Sequence, residues 1–220
     1  MVDASAGATD GDCDLILSTG GVLMVDARTI ATYDKKAGDY ADLVATDQPD
    51  ASLAAFIALI PAGGTVLDLG CGPGTASAHM RAAGLKPHPM DASPGMIKIA
   101  KETFNLDAKL ATFDDIDGTA IYDGVWANFS LLHAPRADLP RYLTMLFDAL
   151  KPGGVFHIGM KTGTGAKRDG IDRLYTFVTV RELTTLLVTA GFEVTHTQEG
   201  REAGMAGTID PFVIMRGKKA

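Results

Sequence analysis

The stretch Thr65-Val66-Leu67-Asp68-Leu69-Gly70-Cys71-Gly72-Pro73-Gly74 decides how the rest of this chain is read. An apolar run ends at an aspartate, three glycines follow at alternate positions, and a helix-forming run opens at Ala76. That order encodes a strand, a tight turn and a helix. Glycine accepts φ > 0 and carries no Cβ, so a ligand can lie against such a turn while helix N–H groups point at it. The same turn also serves simply to pack a helix closely on its sheet, so glycines alone are a weak signal. Two carboxylates sharpen the reading. Asp68 ends the first strand just before the glycines, and Asp91 follows one helix and the short run Lys86 to Met90.

In an α/β sheet, ligands sit beyond the carboxyl ends of the strands. Asp91 is therefore placed to accept hydrogen bonds from the two hydroxyls of a ribose. A dinucleotide would bring a pyrophosphate, and its usual G-x-G-x-x-G turn keeps negative charge away from the helix N-terminus. Here the spacing is G-x-G-x-G and Asp68 lies immediately upstream, which repels phosphate and suits a cationic amino-acid end. The ligand this favours is S-adenosylmethionine. The competing role for Asp68 is that of a turn-former bonding the following loop through its side chain.

At these residues the chain resembles the class I S-adenosylmethionine-dependent methyltransferases. VLDLGCGPG looks like their first motif, and PMDASPGMIKIAK, Pro89 to Lys101, is similar to the acidic-loop segment that follows it. The likeness continues through YDGVWANFSLLHAP (Tyr122 to Pro135), LKPGGVFHIGMK (Leu150 to Lys161) and ELTTLLVTAGFEV (Glu182 to Val194). It implies a Rossmann-like α/β fold, a seven-stranded mainly parallel sheet with an antiparallel last strand and helices on both faces. It also implies S-adenosylmethionine as cofactor and S-adenosylhomocysteine as product. Gly70, Cys71 and Gly72 would then approach the cofactor, with Ala92 and Met96 on its adenine face and Ser93 capping the helix begun at Pro94. The family reads the adenine amino group with an acid at the end of the third strand. Here Thr112 stands at that position and Phe113 at the backbone contact after it. Either the Thr112 hydroxyl replaces the acid or Asp114 reaches back.

The fourth strand ends in Asn128-Phe129-Ser130-Leu131-Leu132-His133, where the resemblance sets the methyl donor against the acceptor. Asn128 is expected to present its backbone carbonyl to the cofactor's amino group and Phe129 to wall the donor channel. The Asn-Pro-Pro-Tyr type of ending that marks methylation of bases and glutamines is missing. His133 is the one candidate for a general base near neutral pH, although a structural bond to the loop before Pro135 is the favoured role.

Composition narrows the class. The 220 residues suit one α/β domain, and the formal charge of −7, from 20 basic against 27 acidic residues, counts against a nucleic-acid partner. No apolar run reaches the roughly 18 residues of a membrane span. Cys13 and Cys71 offer no metal-ligand spacing. The start MVDASAGATDGDCD lacks the basic and apolar regions of a secretory signal, which implies a cytoplasmic location.

Residues 1–25 read as a partly disordered arm, 26–62 as a helical cap and 63–220 as the core. Within the cap a helix over Ala27 to Val44, broken near Gly38, and another over Asp50 to Ile60 are expected. Tyr33 and Tyr40 belong to the pattern that precedes the core of many small-molecule methyltransferases. Tyr33 is weighed evenly between a cofactor contact and packing, whereas Tyr40 leans to packing against the substrate side. Lys161 to Arg173 reads as a mobile basic loop, with Lys161, Arg173 and Tyr175 expected to face an anionic or polar substrate group. Small-molecule methyl transfer is the resulting expectation. A non-catalytic S-adenosylmethionine binder and a nicotinamide oxidoreductase are the alternatives from other classes.

Overall fold

The glycine turn Gly70–Gly74 joins a buried strand, β1 (Thr65–Leu69), to a short helix. Side chains alternate across β1, so Leu67 and Leu69 join a large core on one face while Val66 joins a smaller one on the other. The structure is a computed structural model that describes residues 26–220. The expected N-terminal arm lies outside those residues.

Three helices precede β1: α1 (Ala27–Lys35), α2 (Ala37–Val44) and α3 (Ala51–Ile57). The break between the first two falls at Lys36, two residues before the expected Gly38, where φ −108° and ψ 19° leave the helical region. Asp26 and Asp50 cap α1 and α3 by accepting from backbone N–H groups of their first turns.

From β1 the chain runs through α4 (Thr75–Ala82), β2 (Lys86–Asp91), α5 (Pro94–Phe104), β3 (Lys109–Leu110), β4 (Tyr122–Asn128), α6 (Leu139–Ala149) and β5 (Leu150–Lys161). It closes with β6 (Ala166–Arg168), β7 (Leu174–Thr176), α7 (Val180–Thr189), β8 (Phe192–Ala203) and β9 (Ile209–Lys219). Ser93 caps α5 as expected, accepting from the Met96 N–H at 3.2 Å, with Pro94 at the first helical position.

The main sheet has seven strands in the order β3-β2-β1-β4-β5-β9-β8. All pairs from β3 to β5 are parallel, and β9 runs antiparallel between β5 and β8. The order reverses between β1 and β4, which pairs Leu67 with Val125 and Asp68 with Trp126. That reversal opens a crevice beyond the strands' carboxyl ends. Tyr142, Leu143 and Leu146 of α6 fill one face with Phe156 and Ile158. Phe56 and Ile60 cover the other against Trp126 and Met80.

The segment expected as a mobile loop is instead the two-stranded hairpin β6–β7. It is tied to the start and body of α1 by side-chain contacts. Arg168 pairs with Asp26 at 2.7 Å and Arg28 with Asp172 at 2.7 Å. The Thr32 hydroxyl donates to the Ile171 carbonyl, and the Leu174 N–H to the Thr29 hydroxyl. No helix among the described residues is long and apolar enough to cross a membrane.

Candidate active site

Beyond the carboxyl ends of β1, β2 and β4 lies a cleft of about 690 Å³, its open mouth included, a size suited to a cofactor with part of a second ligand. Of the residues singled out from sequence, Gly70, Gly72, Asp91, Ala92, Met96, Thr112, Phe113, Asn128 and Phe129 line it. So do Tyr33, Tyr40 and His133. Asp91 is the one carboxylate among the described lining residues, and none of them is Lys or Arg.

The glycine turn is built from backbone bonds. The N–H groups of Gly70 and Cys71 both donate to the Met90 carbonyl, Gly74 donates to Cys71, and Gly72 donates to Asp91 Oδ2 at 2.9 Å. Pro73 has no N–H, so the turn keeps no free donor for a phosphate. Gly72 holds φ +54°, and a Cβ there would come 3.3 Å from the Tyr40 ring. The bare backbone is thus a wall of the cleft.

Asp91 is held from both sides. Oδ2 accepts from Gly72 and Oδ1 from the Ser93 N–H at 2.9 Å, which leaves each oxygen further lone pairs. Burial pushes its pKa up, against the pull of those backbone bonds. Met90, Met96, Ala111 and Phe113 supply an apolar slot beside it. The Thr112 hydroxyl donates to Asp115 at 2.9 Å, so it faces the slot's edge with acceptor capacity only.

On the other side, α1 brings Tyr33 against His133 at 2.9 Å from Nε2, while His133 Nδ1 lies 2.7 Å from the Leu174 carbonyl. A carbonyl only accepts, so Nδ1 carries the hydrogen and Nε2 accepts the Tyr33 O–H. Arg173 donates to the Tyr33 oxygen at 2.9 Å and grips Asp169 through Nε and Nη2. Burial lowers the His133 pKa to about 4, so the ring is neutral at pH 7. Burial acts to raise the Asp169 carboxyl, but the bonds from Arg173 carry it below its ordinary range.

Six residues expected at the site lie elsewhere. Asp68 is buried beneath the turn, its carboxylate accepting from the Ser77 hydroxyl at 2.7 Å, and burial raises its pKa to about 7. Cys71 is buried there too, with burial pushing its thiol up. Asp114 turns away to α6, where Arg141 and Tyr142 donate to it. Arg173 and Tyr175 are 3% and 4% exposed, and Lys161 is bonded to Asp210 and stands 4.0 Å over the Tyr175 ring. The expectation that these three face a substrate is corrected: their charges and rings are spent fastening the hairpin.

Sequence reading gave no site role to Thr29, Ile30, Leu69, Met90, Ala111 and Ser130, which also line the cleft. Ser130 lies two residues beyond the end of the fourth strand, a position that flags it; the two α1 residues are brought in only by the tertiary fold. The Ser130 hydroxyl is buried with no partner.

A family profile described as a methyltransferase domain matches residues 45–197. A search of curated protein sequences finds no match. Among solved structures, the fold is similar to that of Burkholderia thailandensis 1,6-didemethyltoxoflavin-N1-methyltransferase, determined with 1,6-didemethyltoxoflavin and S-adenosylhomocysteine. The two are 24% identical over 88% of each chain, with a TM-score of 0.68. The putative methyltransferase of Haloferax volcanii, in complex with the Trm112 activator, is 20% identical over 87% of this chain and 97% of its own, TM-score 0.68. A Haemonchus contortus phosphoethanolamine N-methyltransferase is 14% identical over 90% of this chain and 60% of its own, TM-score 0.68.

Proposed function

This chain belongs to the methyltransferase domain family and is a class I S-adenosylmethionine-dependent methyltransferase; from that premise we propose that it methylates a small molecule, with donor and acceptor in the one cleft. The observation that carries the reading is the glycine turn with all its N–H groups engaged beside a doubly anchored Asp91. A pyrophosphate finds no free N–H within the turn Gly70 to Gly74, which argues against a nicotinamide dinucleotide. A ribose finds a carboxylate with lone pairs to spare.

When bound, S-adenosylmethionine supplies a methyl group on a sulfonium, an electrophile that needs alignment more than activation. In this reading Asp91 accepts from the ribose hydroxyls, and Met96, Ala111 and Phe113 enclose the adenine. Thr112, its own hydrogen given to Asp115, accepts from the adenine amino group. Gly70 and Gly72 let the chain lie close to the amino-acid end. Asp68 acts through Ser77 and the turn it supports rather than by contact.

The acceptor half belongs to α1, α2 and the residues after β4. Tyr33, Tyr40 and Phe129 form aromatic walls that exclude water and align a flat acceptor. His133 has its lone pair occupied by Tyr33, so it positions that tyrosine instead of serving as a free base. A small acceptor is supported by the cover that Thr29, Ile30 and Tyr33 of α1 give the cleft, with the β6–β7 hairpin bonded to that helix. The lack of a lining Lys or Arg among the described residues weighs against a nucleic acid. The Burkholderia relative, which has 1,6-didemethyltoxoflavin bound, has this architecture.

Calorimetric titration of the purified protein with S-adenosylhomocysteine and with NADH tests the reading. The expected outcome is saturable binding of the first alone. NADH binding, or none by S-adenosylhomocysteine, would overturn it.

A further inference from the structure

Asn128, at the end of β4, lines the cleft, and its amide oxygen lies 3.1 Å from Nε2 of His157 on the neighbouring strand β5. His157 is fully buried, stacked on Trp126 with ring centroids 3.7 Å apart. Burial drives its pKa well down, so it is neutral and carries a single N–H.

Two arrangements satisfy the 3.1 Å contact. With the hydrogen on Nε2, His157 donates to Asn128 Oδ1 and leaves a bare Nδ1 lone pair in the apolar wall. With the amide reversed, Asn128 donates to Nε2 and an N–H at Nδ1 is left buried. His157 Nδ1 has no partner in either case, and an orphaned buried N–H is the rarer and costlier defect. Gly159 decides in the same direction. A Cβ built there would fall 2.6 Å from Asn128 Oδ1, so the gap holds only a Cα hydrogen. An oxygen rests well against a C–H, whereas an NH₂ group would press hydrogen on hydrogen.

His157 therefore turns the Asn128 amide so that its NH₂ is the half left over. No described residue is bonded to either of those hydrogens, and the hydroxyl of Ser130, which lines the same cleft, is unpartnered. Charge is withheld from the same chamber. The nearby cations Arg173 and Lys161 are bound to Asp169 and Asp210, and no Lys or Arg is among the described lining residues. The Tyr33 face is already occupied by the Arg173 guanidinium, 5.2 Å from its centroid, which opposes a second cation.

We propose that the methyl acceptor is an uncharged, flat molecule whose carbonyl or ring nitrogen accepts from the Asn128 NH₂, and that His157 is the positioning residue that aims this donor. The proposal rests on the reading of the cleft as a methyltransferase site. An anion would meet Asn128 without a countercharge and with Asp91 in the same cleft. A cation would find the Tyr33 ring face already taken by Arg173.

The test uses the full chain saturated with S-adenosylhomocysteine and three probes on one ring scaffold: 2-quinolone (neutral), quinoline-2-carboxylate (anionic) and 2-(aminomethyl)quinoline (cationic). The neutral probe binds about tenfold or more tighter than either charged one, and Asn128→Leu abolishes that preference. His157→Phe keeps the stack on Trp126 but loses the N–H. It weakens the neutral probe several-fold while S-adenosylhomocysteine affinity stays within about twofold, and His157→Gln restores part of the loss. Should the variants fail to fold, ¹⁵N-histidine NMR of the native protein reads the tautomer directly. Hydrogen on Nε2 supports the proposal and hydrogen on Nδ1 overturns it. Preference for a charged probe, or no binding of the neutral one, overturns the proposal while leaving the donor site intact. Failure of S-adenosylhomocysteine to bind overturns the donor reading and this proposal together.

Discussion

The two halves of the cleft are held together by different means. The donor half is backbone: Gly70, Cys71 and Gly72 bond to Met90 and Asp91, residues about twenty positions away across one βαβ unit. The acceptor half is side chains: Tyr33 meets His133 and Arg173, 100 and 140 positions off. A backbone turn of this kind is specified locally and leaves little to vary. The side-chain lattice can be rebuilt by substitution without disturbing the sheet, so one scaffold can keep its donor and change its acceptor. The comparison predicts that mutations in the donor half cost binding and those in the acceptor half cost stability.

The largest effect is expected at Asp91. Asp91→Ala removes charge-assisted bonds to the ribose and should weaken S-adenosylhomocysteine by about 100-fold or more, with only about 1–2 kcal/mol lost in a denaturant titration. Stability lost without affinity would erase the distinction between the halves. Next, Arg173→Leu strands the largely buried Asp169 and deprives Tyr33 of its donor, for a cost of about 3–5 kcal/mol in urea unfolding. The double variant Asp169→Leu/Arg173→Leu should cost less than Arg173→Leu alone, because no charge is left unpaired.

His133 gives a pH test of similar size. Its folded pKa of about 4 lies below the ordinary 6.5, so between those values the unfolded chain binds the extra proton and stability falls as pH falls. The loss amounts to about 3 kcal/mol by pH 4. His133→Gln lacks this contribution, so its deficit against the native protein should shrink across that window, as read by denaturant titrations at stepped pH. The smallest effect belongs to Arg28, whose pair with Asp172 is half-exposed on both sides. Arg28→Ala should cost at most about 1 kcal/mol, measurable as a small shift in urea midpoint.

The same contrast explains what could be read from sequence. The strand–glycine turn–helix unit, Asp91 and the Ser93–Pro94 helix start were legible because each depends on neighbours in the chain. So was the mainly parallel sheet, since strand and helix patterns alternate in order, while the antiparallel β9 was expected from the family resemblance alone. Arg173 and Lys161 look like substrate-binding cations in a glycine-rich loop until the fold supplies Asp169 and Asp210. Asp169 is only four residues from Arg173, but nothing in the local pattern says that the pair is buried. The hairpin β6–β7 was missed for a related reason. It is fixed by contacts with the start of α1, about 140 residues earlier. Asp68 shows the reverse error, since a carboxylate beside a glycine turn reads as a ligand contact while its partner is Ser77 on the next helix.

The most direct test of the central claim is a crystal structure grown with S-adenosylhomocysteine. The account predicts ribose hydroxyls within hydrogen-bonding distance of Asp91, the adenine between Met96 and Phe113, and the homocysteine sulfur toward Phe129 and Asn128. A nucleoside bound anywhere else, or in this cleft without contact to Asp91, would contradict it.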